Sequence, residues 1–307
     1  MEVYSVQKAD KQESPACHDL AEKVEPNHDV NALFSALRLD QTHYQSFSRR
    51  RNVSPPEQIA KTENIAFQRE GRVHIGVFSP MGGSGKSTLS TSLGSMLCQL
   101  GRRVLLVDTS PWQVLAFHYG ATEARPGKRS FFAPGGRDSA VHILARDQND
   151  VGVPDLDSFV ATTPVDCVFF DLGGVLGEIL LAYLRECDVV LVPLLPDSSA
   201  VRLAAAVKLL LGKLKPSPAR VMFVINQMDD SPIAKRVQTL LMQAHGEQLF
   251  SSAIFRQPEV QQALADGVVL PFYAPKSQAI SVFDEIVRWL QIPEAASTKT
   301  VQRWSEG

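Results

Sequence analysis

"FSPMGGSGKSTLS", residues 78–90, decides how the rest of the chain is read. Gly82, Gly83 and Gly85 flank Ser84 and run directly into Lys86, Ser87 and Thr88. Without a Cβ, glycines let successive backbone N–H groups turn inward on a phosphate chain. A helix starting at once behind them presents its positive N-terminus to the same oxygens. Lys86 supplies a full charge for the β and γ phosphates, and the Ser87 hydroxyl suits Mg²⁺. Such a motif has meaning only between a strand and a helix. Both are predicted: "RVHIGVF" (72–78) is a continuous apolar run, and Leu89, Leu93, Met96, Leu97 and Leu100 line one face of a helix that stops at Gly101.

Outward from that unit the rhythm repeats. Buried-type strands are predicted at "RVLLV" (103–107), "AVHILA" (140–145), "DCVFFD" (166–171), "DVVLVPL" (188–194), "RVMFVIN" (220–226) and "LFSSAIF" (249–255). Apolar helical stretches separate most of them, around 177–186, 199–214, 233–245, 258–266 and 278–290. Strands apolar on both faces, alternating with helices, imply a doubly wound α/β fold with a mostly parallel sheet covered on both sides.

Ligands of such sheets sit at the carboxyl ends of the strands. "FFDLGG" ends one strand with Asp171, which with Gly174 makes the D-x-x-G spacing of a γ-phosphate sensor and can hold Mg²⁺ through water, against the alternative of a buried-edge Asp that caps a turn. "VDTSPW" ends another with Asp108, which has two readings: a contact to the metal or to Lys86, or a plain turn residue. "INQMDD" offers Asn226, whose amide can pair with an adenine edge or simply cap a turn. The candidate site is therefore Gly82, Gly83, Ser84, Gly85, Lys86, Ser87, Thr88 and Asn226 for nucleotide, with Ser87, Asp108 and Asp171 for the metal. Asp108 and Asp171 are the candidate catalytic groups.

Residues 1–70 differ in kind. They are rich in Glu, Lys, Gln, Ser and Asn and include Arg49, Arg50 and Arg51, a composition that predicts a largely disordered arm. One short helix is expected within it near 29–40, where Val30, Leu33, Phe34 and Leu37 follow the candidate cap Asp29. Alone, so short a helix is marginal and needs a surface to dock on. The expected organisation is an arm over 1–70, a nucleotide-binding domain over 71–292 and a flexible tail over 293–307. The 307 residues carry a net charge of −2, so no global positive field recruits nucleic acid or anionic membrane. Lys208, Lys213, Lys215 and Arg220 are candidates for a local basic patch, against the alternative of a solvated helix face. The four cysteines are scattered without a CxxC, which suggests a reducing cytoplasm. The N-terminus lacks the order of a signal peptide, and no run reaches the roughly 18 apolar residues of a membrane helix.

The loop, the two Asp-tipped strands and Asn226 together resemble the MinD/ParA family of dimerising phosphate-loop ATPases, over residues 72–290. The run "EVQQALADGVVLPFYAPKSQAISVFDEIVRWL" is similar to that family's ending, with its apolar G-x-P-V strand and final amphipathic helix. The resemblance implies ATP and Mg²⁺ as cofactors and a homodimer formed through the nucleotide face. Two positions depart from it. The family places a lysine, reaching the partner's nucleotide, where Met81 stands, and an acidic residue that positions the attacking water where Ser110 stands. Losing both removes charge stabilisation and water orientation, so slow or absent hydrolysis is expected. Degenerate loops of this kind resemble the BcsQ-type branch found in bacterial cellulose-synthesis operons. "DVNALFSALRLDQTHYQSF" (29–47) likewise looks like the short regulatory segment of those operons, of the BcsR and BcsP type. That resemblance implies a cytoplasmic accessory protein for cellulose synthesis and secretion, recruited to inner-membrane synthase subunits or the cell pole, with membrane contact only indirect and no nucleic acid. The alternative is an active partitioning or positioning ATPase acting on DNA, membrane or a polar cargo.

Overall fold

The computed structural model describes residues 72–132, 140–147, 153–215, 217–218 and 220–290. The expected helix near 29–40, the arm as a whole and the tail lie outside the described residues. In chain order the elements are β1 (Val73–Val77), α1 (Lys86–Gln99), β2 (Val104–Asp108), a 3₁₀ turn (Val114–Tyr119), β3 (Gly127–Phe132), β4 (Ala140–Ala145), α2 (Leu156–Thr162), β5 (Cys167–Asp171) and α3 (Gly177–Glu186). There follow β6 (Val189–Leu194), α4 (Ala200–Lys213), β7 (Arg220–Met228), α5 (Pro232–His245), β8 (Ile254–Phe255), α6 (Pro258–Ala265), α7 (Leu270–Tyr273) and α8 (Gln278–Leu290).

The strands form one eight-stranded sheet in the order β3-β4-β2-β5-β1-β6-β7-β8, parallel except for β3 on β4. Residues of β1, β2, β5 and β6 are buried on both faces, as continuous apolar runs dictate. Alternate side chains feed two cores. Val73, Ile75 and Val77 join Leu89, Leu93, Leu97 and Phe283 on the α1/α8 face, whereas Phe170, Tyr183, Val190, Leu203 and Leu241 pack on the α3/α4/α5 face. Each fully buried side chain of this size contributes roughly 1.5–3 kcal/mol relative to exposure. α1 ends in a Schellman turn: Gly101 at φ +78 donates to the Cys98 carbonyl, and Arg102 donates to that of Leu97.

Several expectations change. Leu100 does not belong to the buried face of α1. It sits past the last turn, at the point where Gly101 reverses the chain, and is 61% exposed. The expected strand 249–255 shrinks to Ile254–Phe255, with Leu249 making only an isolated bridge to Phe223, because a 3₁₀ turn at Gly246–Gln248 delays the chain. The apolar strand expected in the run 259–290 does not form: Leu270 and Pro271 open α7, in whose first turn the fixed φ and missing N–H of proline cost nothing. Arg220 leaves the proposed basic patch, since its guanidinium stacks 3.7 Å over Trp289 and donates to the Trp289 carbonyl. Cys98, Cys167 and Cys187 form no disulfide and are buried in the cores, where the Cys187 thiol donates to the Tyr183 carbonyl. Among the described residues no helix is long and apolar enough to cross a membrane.

Candidate functional site

The parallel register brings the strand tips to one level. Val77 lies opposite Asp171, and Asp171 opposite Asp108, so the loop after β1 and the two carboxylates share the same edge of the sheet. Gly85 takes φ +90 as the residue before α1, a conformation closed to most side chains. A Cβ there would also lie 2.1 Å from Asn226 Nδ2, so the loop and the end of β7 are in direct contact.

The Ser87 hydroxyl donates to Asp171 Oδ2 at 2.7 Å, while Asp171 Oδ1 is buried without a hydrogen-bond partner. Lys86 Nζ donates to the Met81 carbonyl at 2.9 Å. Burial lowers the Lys86 pKa, opposed by the charge of Asp171. Burial pushes Asp171 up to about 7, with the Ser87 hydrogen bond pulling the other way and the nearby Asp108 adding to the rise. The donor set is a hydroxyl oxygen and a carboxylate with one oxygen to spare, which fits a hard cation such as Mg²⁺. No cluster of three or more His, Cys, Asp or Glu side chains stands ready for a metal among the described residues. A cation here would draw its other ligands from water and phosphate, the usual habit of Mg²⁺.

Asp108 is differently employed. Its Oδ1 accepts the Ser110 N–H at 2.9 Å and its Oδ2 the Leu115 N–H at 2.8 Å, which ties down the loop between β2 and the 3₁₀ turn. It is fully buried and raised to about 6 by burial, against the pull of those two bonds. Thr109 donates to the Asp171 carbonyl, and a Cβ on Gly174 would meet Ser110 Cα at 2.7 Å. The two loops thus abut, and only glycine fits at 174.

At the two departures, neither group offers charge. The Met81 side chain packs on the core, with its Sδ 3.7 Å from the Ser199 hydroxyl. Ser110 is buried, and its Oγ accepts the Trp112 N–H at 3.2 Å.

Beside the loop opens a cleft of about 900 Å³ that reaches from Gly83, Lys86 and Thr88 to Phe117, Phe255 and Leu264. This is within the range of small-molecule sites. Asn226 lines it and donates to the Ser84 carbonyl at 2.8 Å. Gln227, Arg256, Gln257 and His118 line it too and were not singled out in the sequence. For Gln227 the signal was its place directly after Asn226. Nothing in the local pattern marks the others. His118 is buried and pushed down to about 4 by desolvation, so it is neutral near pH 7. Gly82 is exposed on the loop rim and Ser84 is buried beneath it.

A parallel sheet of this order, with a glycine loop feeding a helix from its inner strand and carboxylates at the same edge, defines a phosphate-loop nucleotide-binding fold. The chain belongs to the CobQ/CobB/MinD/ParA nucleotide binding domain family, whose model matches residues 75–270. It is 27% identical over 199 residues to the maintenance of carboxysome distribution protein A of Halothiobacillus neapolitanus, covering 63% of this chain and 84% of that protein. Among solved structures it is similar to McdA of Cyanothece in its ATP complex, with TM-score 0.57 and 16% identity, covering 73% of this chain and 98% of that one. The septum site-determining protein MinD of Pyrococcus horikoshii, complexed with Mg-ADP, gives TM-score 0.55 and 17% identity over 71% of this chain and 95% of that one. At these identities the structural likeness speaks for the fold.

Proposed function

We propose that this protein is a ParA/MinD-type positioning protein that binds ATP with Mg²⁺ and, so loaded, pairs with a second copy to hold a cargo in place. The observation that carries the reading is the Ser87–Asp171 contact beside Lys86, with one Asp171 oxygen left over. Those groups can orient a metal and bind phosphate charge. Family membership and the likeness to a carboxysome-distribution protein support positioning as the role. Trp112 and Leu176, 74% and 76% exposed, project from the loops after β2 and β5. They give a facing copy apolar surface to cover at the nucleotide edge. Hydrolysis is slow in this reading, because Met81 is turned into its own core and Ser110 carries no carboxylate. When bound, the metal would neutralise phosphate charge; Lys86 and the loop N–H groups do the rest of the holding.

A second reading concerns the cargo. The resemblance of residues 29–47 to the cellulose-operon segment, together with Met81, favours the cellulose synthase at the inner membrane. A fluorescent fusion expressed from its own locus tests both. Wild type is expected to form foci and Lys86→Ala to be diffuse. Foci that vanish on deletion of the synthase support the cellulose cargo, and foci that persist exclude it. Diffuse wild type contradicts positioning altogether.

A further inference from the structure

In a regular strand, consecutive side chains leave opposite faces. At the end of β7 that alternation breaks. The register against β8 shifts so that Asn226 lies opposite Ile254 and Met228 opposite Phe255, with Gln227 in between. Gln227 takes φ +59, in the left-handed region that non-glycine residues seldom adopt. Both neighbouring amides consequently reach the same target. Asn226 Nδ2 donates to the Ser84 carbonyl at 2.8 Å, and Gln227 Nε2 to the Gly83 carbonyl at 2.6 Å. Gln227 Oε1 accepts in turn from the Arg256 guanidinium at 3.4 Å. Backbone strain of this kind persists only where the surroundings over-determine it, and it gathers at functional sites.

A trans peptide points its carbonyl and its N–H to opposite sides. The Gly83 carbonyl shares a plane with the Ser84 N–H, and the Ser84 carbonyl with the Gly85 N–H. Holding both carbonyls from the β7 side therefore aims both N–H groups away from β7. Successive N–H groups fixed in that way are what an anion-binding loop consists of. We infer that Gln227 is a positioning residue for phosphate: from its strained bulge it locks the Gly83–Ser84 peptide so that the Ser84 N–H is presented to the nucleotide. The inference rests on the nucleotide-binding reading above and deepens it.

Gln227→Gly separates this role from a structural one, because glycine accepts the left-handed φ without strain. The ligand-free melting temperature should stay level or rise, while affinity for Mg·ATP falls about tenfold, the worth of one well-placed hydrogen bond. Affinity for inorganic tripolyphosphate, measured by displacement of a fluorescent ATP analogue, should fall by the same factor. Unchanged affinity overturns the inference. So does a loss confined to ATP, which would mean a contact to the base, and so does a joint fall in affinity and melting temperature, which would mean a merely structural role. Wild type that binds neither ligand removes the nucleotide reading and this inference with it, whereas wild type and Gln227→Gly binding equally well removes the inference alone.

Discussion

Asp108 and Asp171 stand opposite each other in the sheet, yet they do different work. Both tip buried apolar strands, and both are raised by burial, to about 6 and about 7. Asp108 spends both oxygens on backbone N–H groups of its own loop, whereas Asp171 gives one oxygen to Ser87 and keeps the other. The chain that follows each strand makes the difference. "TSPW" folds back over Asp108, and Ser110 within it and Leu115 in the 3₁₀ turn beyond it present their N–H groups to the carboxylate. "LGG" gives its first N–H to the Val77 carbonyl instead, and its Gly174 is pressed against the neighbouring loop. A shared position at a strand tip thus creates the opportunity for metal chemistry, and the next few residues decide whether the carboxylate is free to use it.

Lys86→Ala should abolish ATP binding in isothermal titration, a loss of more than about 100-fold, because the charge-assisted contact to phosphate has no substitute. Unchanged affinity would sink the whole nucleotide account. Asp171→Asn keeps the size and a hydrogen-bond acceptor for Ser87 but removes the charge, so the tightening of ATP binding by Mg²⁺ should shrink by about 10- to 100-fold. The same change at Asp108 should leave that tightening nearly intact.

Acidity separates the ligand-free from the loaded protein. A carboxyl whose folded pKa is raised from 3.8 to about 7 binds its proton more tightly when folded, so its contribution to ligand-free stability declines as pH rises between those values. Metal binding needs the ionised form. Mg·ATP affinity should therefore increase from pH 6 to pH 8, flattening above about 7, and the slope should vanish in Asp171→Asn. An affinity flat over that range would contradict a metal role for Asp171. The smallest effect belongs to Asp108→Ala, which strands the Ser110 and Leu115 N–H groups. It should cost about 1–3 kcal/mol in denaturant unfolding while changing ATP affinity little.

The phosphate loop and the strands β1, β2, β5 and β6 were legible because a strand buried on both faces writes itself as an uninterrupted apolar run. β3 was not, since "GKRSFF" mixes two basic residues with aromatics, as befits an edge strand exposed along one side. Short α7 was hidden for another reason: "VVLP" is apolar enough for a strand, and only tertiary packing turns Pro271 into a helix start. At the site, Lys86, Ser87 and Asp171 could be picked by residue type and place. The occupation of both Asp108 oxygens, the inward turn of Met81 onto Ser199 and the paired amides of Asn226 and Gln227 depend on loop backbone and on a bulge, which leave no periodic trace in sequence.

Whether the proposed ATP site is slow for want of charge at Met81 and Ser110 is decided by phosphate release from wild type, Met81→Lys, Ser110→Asp and the double variant at saturating Mg·ATP. Lysine would neutralise charge on the phosphoryl oxygens and a carboxylate would orient the attacking water, so the two should act as a unit. Wild type and both single variants are expected to stay well below about 1 s⁻¹, with clear acceleration only in the double variant. Wild type turning over at about 1 s⁻¹ or faster would contradict slow hydrolysis, because Met81 and Ser110 would then not be defects at all.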